Sequence, residues 1–372
     1  MLYENYEILN KEEIVSPALI YYKSAIKHNI EKMISIAGSS SCLWTHVKTH
    51  KTKEIVAMQM DMGITKFKCA TIAETEMVAD LEAKEIILSY PLVGPNIKRF
   101  VELSKCYERS KIYAIGDDIS QIQKLSECAV KNSLKIPFLL DVNMGLDRTG
   151  VKMDCLYEMY KRVAQLSGVR ICGLHCYDGG RHENDYEERL SAVKHWDDQI
   201  FNIKRRLTDE GYRCDFAVLG GTPSFPCHAE QTKSDYFSPG TSILFDAGYE
   251  KNFPDLPFYL AAVVMTRVIS HPAPGLFTLD LGYKGIASDP KGARGKIVGL
   301  KDYEELFQNE EHWVFKMNKG FENDRPYIGE VLYVIPTHIC PTSALYQSAL
   351  VADKHMIIDE WLIAARNRKI KF

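Results

Sequence analysis

From about Ala18 to Phe245 the chain alternates short β-branched or aromatic runs with amphipathic stretches of helical length, and few folds accept that rhythm eight times over. The strand candidates are CLWTHV, KFKCAT, EIILSYP, KIYAIGD, IPFLLDV, RICGLHCY, DFAVLG and YFSPGTSILF. Between them lie helical patterns such as KEIVAMQMDMG, AETEMVADLEA, PNIKRFVELSK, DISQIQKLSECAVKN and DCLYEMYKRVAQL, and the longer DYEERLSAVKHWDDQIFNIKRRL follows the sixth strand. Eight strands spaced by helices predict a parallel sheet closed into a (β/α)8 barrel, an α/β fold of the TIM type. An open doubly wound sheet is the competing fold. It would carry a glycine-rich turn after the first strand, and HVKTHK is not one. A helix from Ser24 to about Ile36 precedes the first barrel strand.

After about Asp246 the texture changes. FYLAAVVMTRVIS, LFTLDLGY, EVLYVIPTHIC and HMIIDEWLIAARNR read as strands with turns between them. The expectation is a barrel over residues 16–245 and an appended C-terminal β domain over 246–372, joined by residues 1–15. A chain of 372 residues holds such a pair comfortably. Its formal charge of -3 leaves no electrostatic footprint for a nucleic acid or an anionic membrane. Ten cysteines, scattered from Cys42 to Cys340 without a CxxC pair, suit a reducing cytosol rather than a disulfide framework. The opening MLYENYEILNKEE lacks the apolar core of a signal peptide, and no apolar run is long enough to span a bilayer. A cytoplasmic enzyme or binding protein is the expectation.

Chemistry in a parallel barrel sits at the C-terminal ends of the strands, and the unusual residues gather there. Lys48 ends the first strand, Thr71 the second and Tyr90 the third. Asn143 through Arg148 follow the fifth, Tyr177 the sixth and Gly220-Gly221-Thr222 the seventh; Gly240-Thr241 lie within the eighth. Strand alternation puts Trp44, His46 and Lys48 on one face, so an inward face would aim the Lys48 amine at the barrel mouth. Desolvation there would make it a nucleophile suited to imine formation. On spacing alone, a solvated basic turn of Lys48, Lys51 and Lys53 is the more ordinary reading. LGGTPS and SPGTS combine glycine with hydroxyl residues after strands seven and eight, where a barrel holds phosphate. Arg148 would sit near a cofactor ring, or else form a surface salt bridge. His338 and Cys340, two apart at the end of an apolar strand, would share a face and bind one ion with positions left open. A buried cysteine beside an ordinary histidine is the alternative. A thiolate selects zinc where a carboxylate would suit manganese or magnesium. Glu310, Glu311 and His312 are further polar candidates, or a solvated turn.

HVKTHK, CATIAE, LSYPLVGP, DVNMGLDRTGV, GLHCYDG, LGGTPS, SPGT, DLGYKGIASDP, EEHW and PTHICPT occur in this order, and by them the chain resembles the D-threonine aldolase and D-serine dehydratase family over nearly its whole length. Members resemble alanine racemase in their barrel, the type III pyridoxal-phosphate fold. The resemblance implies that Lys48 carries pyridoxal 5'-phosphate as a Schiff base, with Arg148 by the cofactor hydroxyl and Tyr177 near the ring. It implies Gly221, Thr222, Gly240 and Thr241 for the phosphate, and His338 and Cys340 for a divalent metal, Zn2+ first and Mn2+ second. It also implies a homodimer acting on a small D-β-hydroxy-α-amino acid. Two departures stand out: Ser238 occupies the place of the alanine racemase arginine that faces the ring nitrogen, and Gly180 replaces a histidine, with His182 nearby. A neutral Ser238 would weaken the electron sink. His-x-Cys resembles the dehydratases and His-x-Asp the aldolases, which tips the expectation toward β-elimination over retro-aldol cleavage. A racemase would need an opposite-face tyrosine, for which Tyr283 is the nearest suggestion. A non-enzymatic pyridoxal-phosphate carrier would lack the C-terminal domain.

Overall fold

The computed structural model describes residues 6–232 and 235–372. Residues 1–5 of the expected N-terminal segment lie outside the described residues. The chain opens with β1 (Ala18–Tyr22) and α1 (Lys23–Ala37), then β2 (Thr45–His46). Strand and helix now alternate: α2 (Lys53–Asp61), β3 (Lys66–Cys69), α3 (Ile72–Ala79), β4 (Glu85–Leu88), α4 (Pro95–Cys106) and β5 (Lys111–Gly116). The series continues through α5 (Ile119–Lys131), β6 (Ile136–Asp141), α6 (Met153–Ala164), β7 (Val169–Cys176), α7 (Tyr186–Asp209), β8 (Phe216–Leu219), α8 (Phe225–Gln231) and β9 (Tyr236–Phe237). After α9 (Ala247–Asn252) come β10 (Ala262–Ser270), β11 (Leu276–Leu279), β12 (Gly295–Ile297), β13 (Tyr303–Gln308), β14 (Trp313–Met317) and β15 (Val331–Pro336). Last are α10 (Ile339–Leu345), β16 (Ser348–Asp353) and β17 (Met356–Leu362). Among the described residues no helix is long and apolar enough to cross a membrane.

Strands β2 to β9 form one sheet in sequence order, every neighbour parallel. All eight expected strands are present. The sheet closes on itself where Leu43 bridges Phe237, and where Trp44 N–H donates to Phe237 O at 2.8 Å and His46 N–H to Pro239 O at 2.8 Å. Trp44 lies fully buried among Ile87, Tyr113, Ile115, Leu139, Cys172, Phe216 and Val218, its ring 5.4 Å from that of Tyr113 and 5.6 Å from Phe216. That fixes the inward face of β2 as the one Trp44 and His46 share. The β6–β7 register shifts between Phe138 and Leu139, and Gly173 follows at once. A Cβ there would stand 2.0 Å from Phe216 O, so only glycine permits the approach.

Helix starts follow sequence chemistry. Thr71 caps α3 through Glu74 N, Asp118 caps α5 through Gln121 N, Asp185 caps α7, and Pro95 opens α4. Strand β9 is only two residues long, because Pro239 has no N–H to continue a ladder. Gly240 and Thr241 therefore lie beyond the eighth strand rather than within it.

The second sheet has nine strands, running β13-β14-β11-β10-β1-β16-β17, with β15 on β10 and β12 on β15. Strand β1 pairs antiparallel with β10 (Ile20 opposite Val263) and parallel with β16 (Ile20 opposite Leu350). The chain divides into two compact units. One holds the described residues up to Ile30, Thr49–Thr52 and Thr241–Ala364; the other holds Glu31–Lys48, Lys53–Gly240 and Ala365–Phe372. The divisions thus differ from 16 and 245. ALIYY is apolar along its length, and a strand buried on both faces looks the same in either sheet. Residues 365–372 join the barrel unit, where the backbone N–H of Lys371 donates to Glu76 and Arg99 donates to Phe372 O at 2.7 Å. Strands β12, β13, β14 and β16 were not foreseen; β12 has only three residues and β13 is largely exposed.

Candidate active site

The barrel mouth assembles from the ends of β2, β3, β6, β7, β8 and β9. Lys48 stands just past β2, in a 3₁₀ turn over Val47–Thr49, rather than as the strand's last residue. Its N–H donates to His46 Nδ1 at 3.3 Å, and the His46 ring reaches Ser89 Oγ at 3.4 Å. The Lys48 side chain is half-buried.

A second lysine, Lys68 on β3, was missed by sequence reasoning and is only 1% exposed. It pairs with His46 in register, so both point inward. Its Nζ donates to Ser238 Oγ at 2.6 Å and lies 3.4 Å from His175 Nε2. Burial first, and then the charge of Lys48, pull its pKa down to about 7 against the opposing pull of Asp141 and Asp178. His175, next to last in β7, lies opposite Asp141 of β6, and its Nδ1 donates to Asp141 Oδ1 at 2.7 Å. Burial, followed by the charge of Lys68, holds His175 below its ordinary pKa. The neutral ring therefore keeps its proton on Nδ1 and offers Nε2 as an acceptor. A readable signal did exist: in KFK, FLLD and GLHC a charged or imidazole residue occupies an inward position near a strand's C-terminal end.

Tyr177 follows β7. Its ring carries the Arg148 guanidinium at 5.1 Å and the Lys68 amine at 5.2 Å. Gly179 makes room for it, since a Cβ there would lie 2.2 Å from Tyr177 Oη, and one at Gly221 would lie 2.9 Å from its Cε2. Arg148 itself is exposed. Thr222 is buried and accepts from Gly240 N–H at 3.2 Å, which ties the two glycine segments together. Gly221 N–H donates to Ser224 Oγ at 3.1 Å, and Ser224 donates to Asp178 Oδ1 at 2.6 Å. Below them His228, fully buried, bridges Asp178 at 3.1 Å and Asp197 at 2.9 Å. Burial alone would depress it, but the two carboxylates raise it to about 10, so it stays an imidazolium.

His338 and Cys340 come together by a different route from the one expected. Strand β15 ends at Pro336; His338 occupies the N-cap position of α10 without a side-chain capping bond and Cys340 lies in its first turn, so no strand face is shared. The two side chains instead lie near enough at the helix start for Cys340 to raise the His338 pKa. His338 Nδ1 donates to Asp289 Oδ2 at 2.6 Å. Cys340 Sγ lies 3.2 Å from Thr49 Oγ1 and 3.5 Å from Thr241 Oγ1, so the Thr241 hydroxyl is engaged at the sulfur. Burial lowers the His338 pKa, but Cys340, Asp289 and Asp246 outweigh it and raise it to about 9. Glu310, Glu311 and His312 form an exposed turn in which both glutamates pair with Lys284, and Tyr283 is exposed beside it.

Residues 22–247 match the family model of the alanine racemase N-terminal domain, and residues 261–352 match a putative serine dehydratase domain. The chain belongs to the alanine racemase N-terminal domain family. It is 27% identical to a D-threonine aldolase of an Arthrobacter species over 356 residues, 94% of this chain and 92% of that one. It is 20% identical to a D-serine dehydratase of Schizosaccharomyces pombe over 390 residues, again 94% and 92%. The crystal structure of D-threonine aldolase from Filomicrobium marinum superposes with a TM-score of 0.86 at 26% identity, covering 97% of this chain and 98% of that chain.

Pyridoxal phosphate is the cofactor of this family, and the barrel mouth suits it chemically. Lys48, Lys68 and Arg148 lie close together; Asp141 offsets part of their charge, and Asp178 is paired with the His228 imidazolium. The surplus is positive, which a phosphate and a phenolate would neutralise. Gly221, Thr222 and Gly240 bring two amides and a hydroxyl to the same mouth, and in this structure the Gly221 amide donates to Ser224 Oγ and the Gly240 amide to Thr222 Oγ1. For a metal, an imidazole and a thiol with two hydroxyls nearby suit an ion that keeps open positions. Among the described residues no group of three or more His, Cys, Asp or Glu side chains gathers to form a closed site.

Proposed function

We propose that this chain is a pyridoxal-phosphate- and divalent-metal-dependent lyase of D-β-hydroxy-α-amino acids, and that it performs β-elimination to a keto acid and ammonia. The observation carrying this reading is the paired amines of the barrel mouth, Lys48 at the rim and Lys68 buried behind it, beside Arg148 and the Thr222–Gly240 cradle. When bound, pyridoxal phosphate supplies an electron sink for the pair left at Cα, and a divalent metal supplies Lewis acidity to the departing hydroxyl.

Lys48 would be the covalent anchor of the cofactor, and its Nζ would be the base that takes the Cα proton. Arg148 binds the substrate carboxylate or the cofactor hydroxyl, and its exposure leaves it accessible to an arriving acid. The Tyr177 ring walls the pocket between Arg148 and Lys68. Gly221, Thr222 and Gly240 hold the phosphate, with Thr241 following in the chain. His338 and Cys340 hold the metal, and Asp289 orients His338 so that Nε2 remains the ligating atom. Thr49 and Thr241 each touch the Cys340 sulfur and each follow, in the chain, a residue assigned to the cofactor. The thiolate favours zinc over manganese. A homodimer in the cytoplasm completes the reading.

Retro-aldol cleavage to glycine and an aldehyde is the second reading, and the identities favour it: 27% and 26% to aldolases against 20% to a dehydratase. The His-x-Cys pair favours elimination. Incubation with D-serine, D-threonine and D-threo-3-hydroxyaspartate separates them, with keto acid and ammonia expected. Aldehyde with glycine from D-threonine would establish the second reading, and turnover of none of the three would sink both.

Arg148→Ala should keep the fold and weaken cofactor or substrate binding roughly ten-fold, the scale of one charge-assisted hydrogen bond at an exposed site. Unchanged affinity and kinetics would return Arg148 to a surface role.

A further inference from the structure

Lys68 is the residue that the covalent anchor and the metal pair do not explain. A buried ammonium is costly, and a methionine of similar volume would pack there without the penalty. Among the described residues no carboxylate oxygen lies within bonding distance of Nζ; its partners are Ser238 Oγ at 2.6 Å and His175 Nε2 at 3.4 Å, with the Tyr177 ring beneath. Ser238 Oγ passes the chain on by donating to Gly220 O at 2.9 Å, immediately before the glycine of the cradle. His175 passes it to Asp141. The charged groups around the amine are Lys48 after β2, Asp141 on β6, Arg148 beyond β6 and Asp178 beyond β7. Two are acids already engaged by histidines, and two are cations. Asp141 and Asp178 favour the ammonium only from a distance, and no carboxylate among the described residues pairs with it directly, which leaves an anionic ligand as the direct partner the pocket can take.

Its position also separates it from Lys48. The Lys68 amine projects from a strand and is gripped on two sides, whereas Lys48 sits on a turn at the rim. We propose that Lys68 is a non-covalent, charge-setting residue of the cofactor pocket: its amine, oriented by Ser238 and His175, supplies the cation matching the anionic cofactor and gives it up as the pH rises. Ser238 thus brings a cation with it rather than leaving the pocket neutral at that point. Its depressed pKa of about 7 sets the change near neutrality. The inference rests on the cofactor of the lyase reading but not on which bond is broken.

Pyridoxamine 5'-phosphate tests it, because this probe cannot form an imine with Lys48. Binding to wild type should weaken roughly ten-fold between pH 6.5 and 9 as Lys68 loses its proton. Lys68→Arg should bind tightly throughout that range, and Lys68→Met weakly and without the pH step. Competitive acetylation of the cofactor-free protein reads the same amine directly. Lys68 should titrate near neutrality in wild type and about one pH unit lower in Ser238→Ala, which loses an acceptor for the ammonium. A Lys68→Met protein with the wild-type pH profile, or acetylation of Lys68 titrating in the ordinary lysine range, overturns the inference while leaving the lyase reading intact. A wild-type protein that binds neither pyridoxamine phosphate nor pyridoxal phosphate overturns both.

Discussion

Lys48→Ala should give a folded, colourless protein whose turnover has fallen by roughly a thousand-fold or more, the scale of a lost base and anchor together. The fold should survive because Lys48 belongs to the Val47–Thr49 turn and contributes no rung to the barrel ladder, whose first strand ends at His46. Wild type should be yellow, and borohydride should bleach it while fixing the cofactor to the peptide containing Lys48. Three other amines compete for the label. Lys51 adopts a left-handed backbone with φ 54° and Lys53 is paired with Asp80 at 3.0 Å, so both have settled structural places. Lys68 is the serious competitor, being buried with its pKa lowered to about 7. Label on Lys51, Lys53 or Lys68 instead would overturn the assignment of Lys48.

His338→Ala and Cys340→Ala should each lose a bound metal, expected at about one zinc per subunit, while the cofactor stays attached. The two chemistries belong to different units of the chain, which makes their losses separable. Cys340→Asp should shift preference from zinc toward manganese, because a carboxylate is the harder ligand, and should cost dehydratase activity more than any aldolase activity. Asp289→Asn should weaken the metal roughly 10–100-fold through the His338 ring it orients at 2.6 Å. Metal analysis after dialysis reads all four variants without a turnover assay. Full wild-type activity after chelation, with no metal found, would remove the metal from the mechanism and leave the lyase reading on Lys48 alone.

The barrel was legible because its eight strands are short, apolar and spaced by helices with ordinary caps, so local and global signals agree. The second sheet was less so. Strand β13 shows the burial of an exposed edge, β12 has three residues, and β16 breaks its register between Val351 and Ala352. Such strands are specified by partners far along the chain and not by their own period. The candidate site divides in the same way. Lys48, Arg148, Tyr177 and the glycine segments stood out because they interrupt loops at strand ends. Lys68, His175 and Asp141 sit inside strands, where their alternation reads as packing until the inward face is known from Trp44. For His338 and Cys340 the pair was visible but its geometry was not, since the turn at Thr337 ends the strand two residues too early.

Strand β1 is completed early in synthesis, yet both its neighbours arrive late: β10 opposite Ile20 at Val263, and β16 opposite it at Leu350. As the ribosome works through the eight barrel strands, ALIYY has no sheet to join and remains an unpaired apolar segment. Sheet closure of such high sequence separation is slow and leaves the nascent chain open to association with its neighbours. Mutations in Ala18–Tyr22 should therefore show first in yield during expression, with folded molecules that do form behaving almost normally. The chain's most exposed moment comes before its last strands exist.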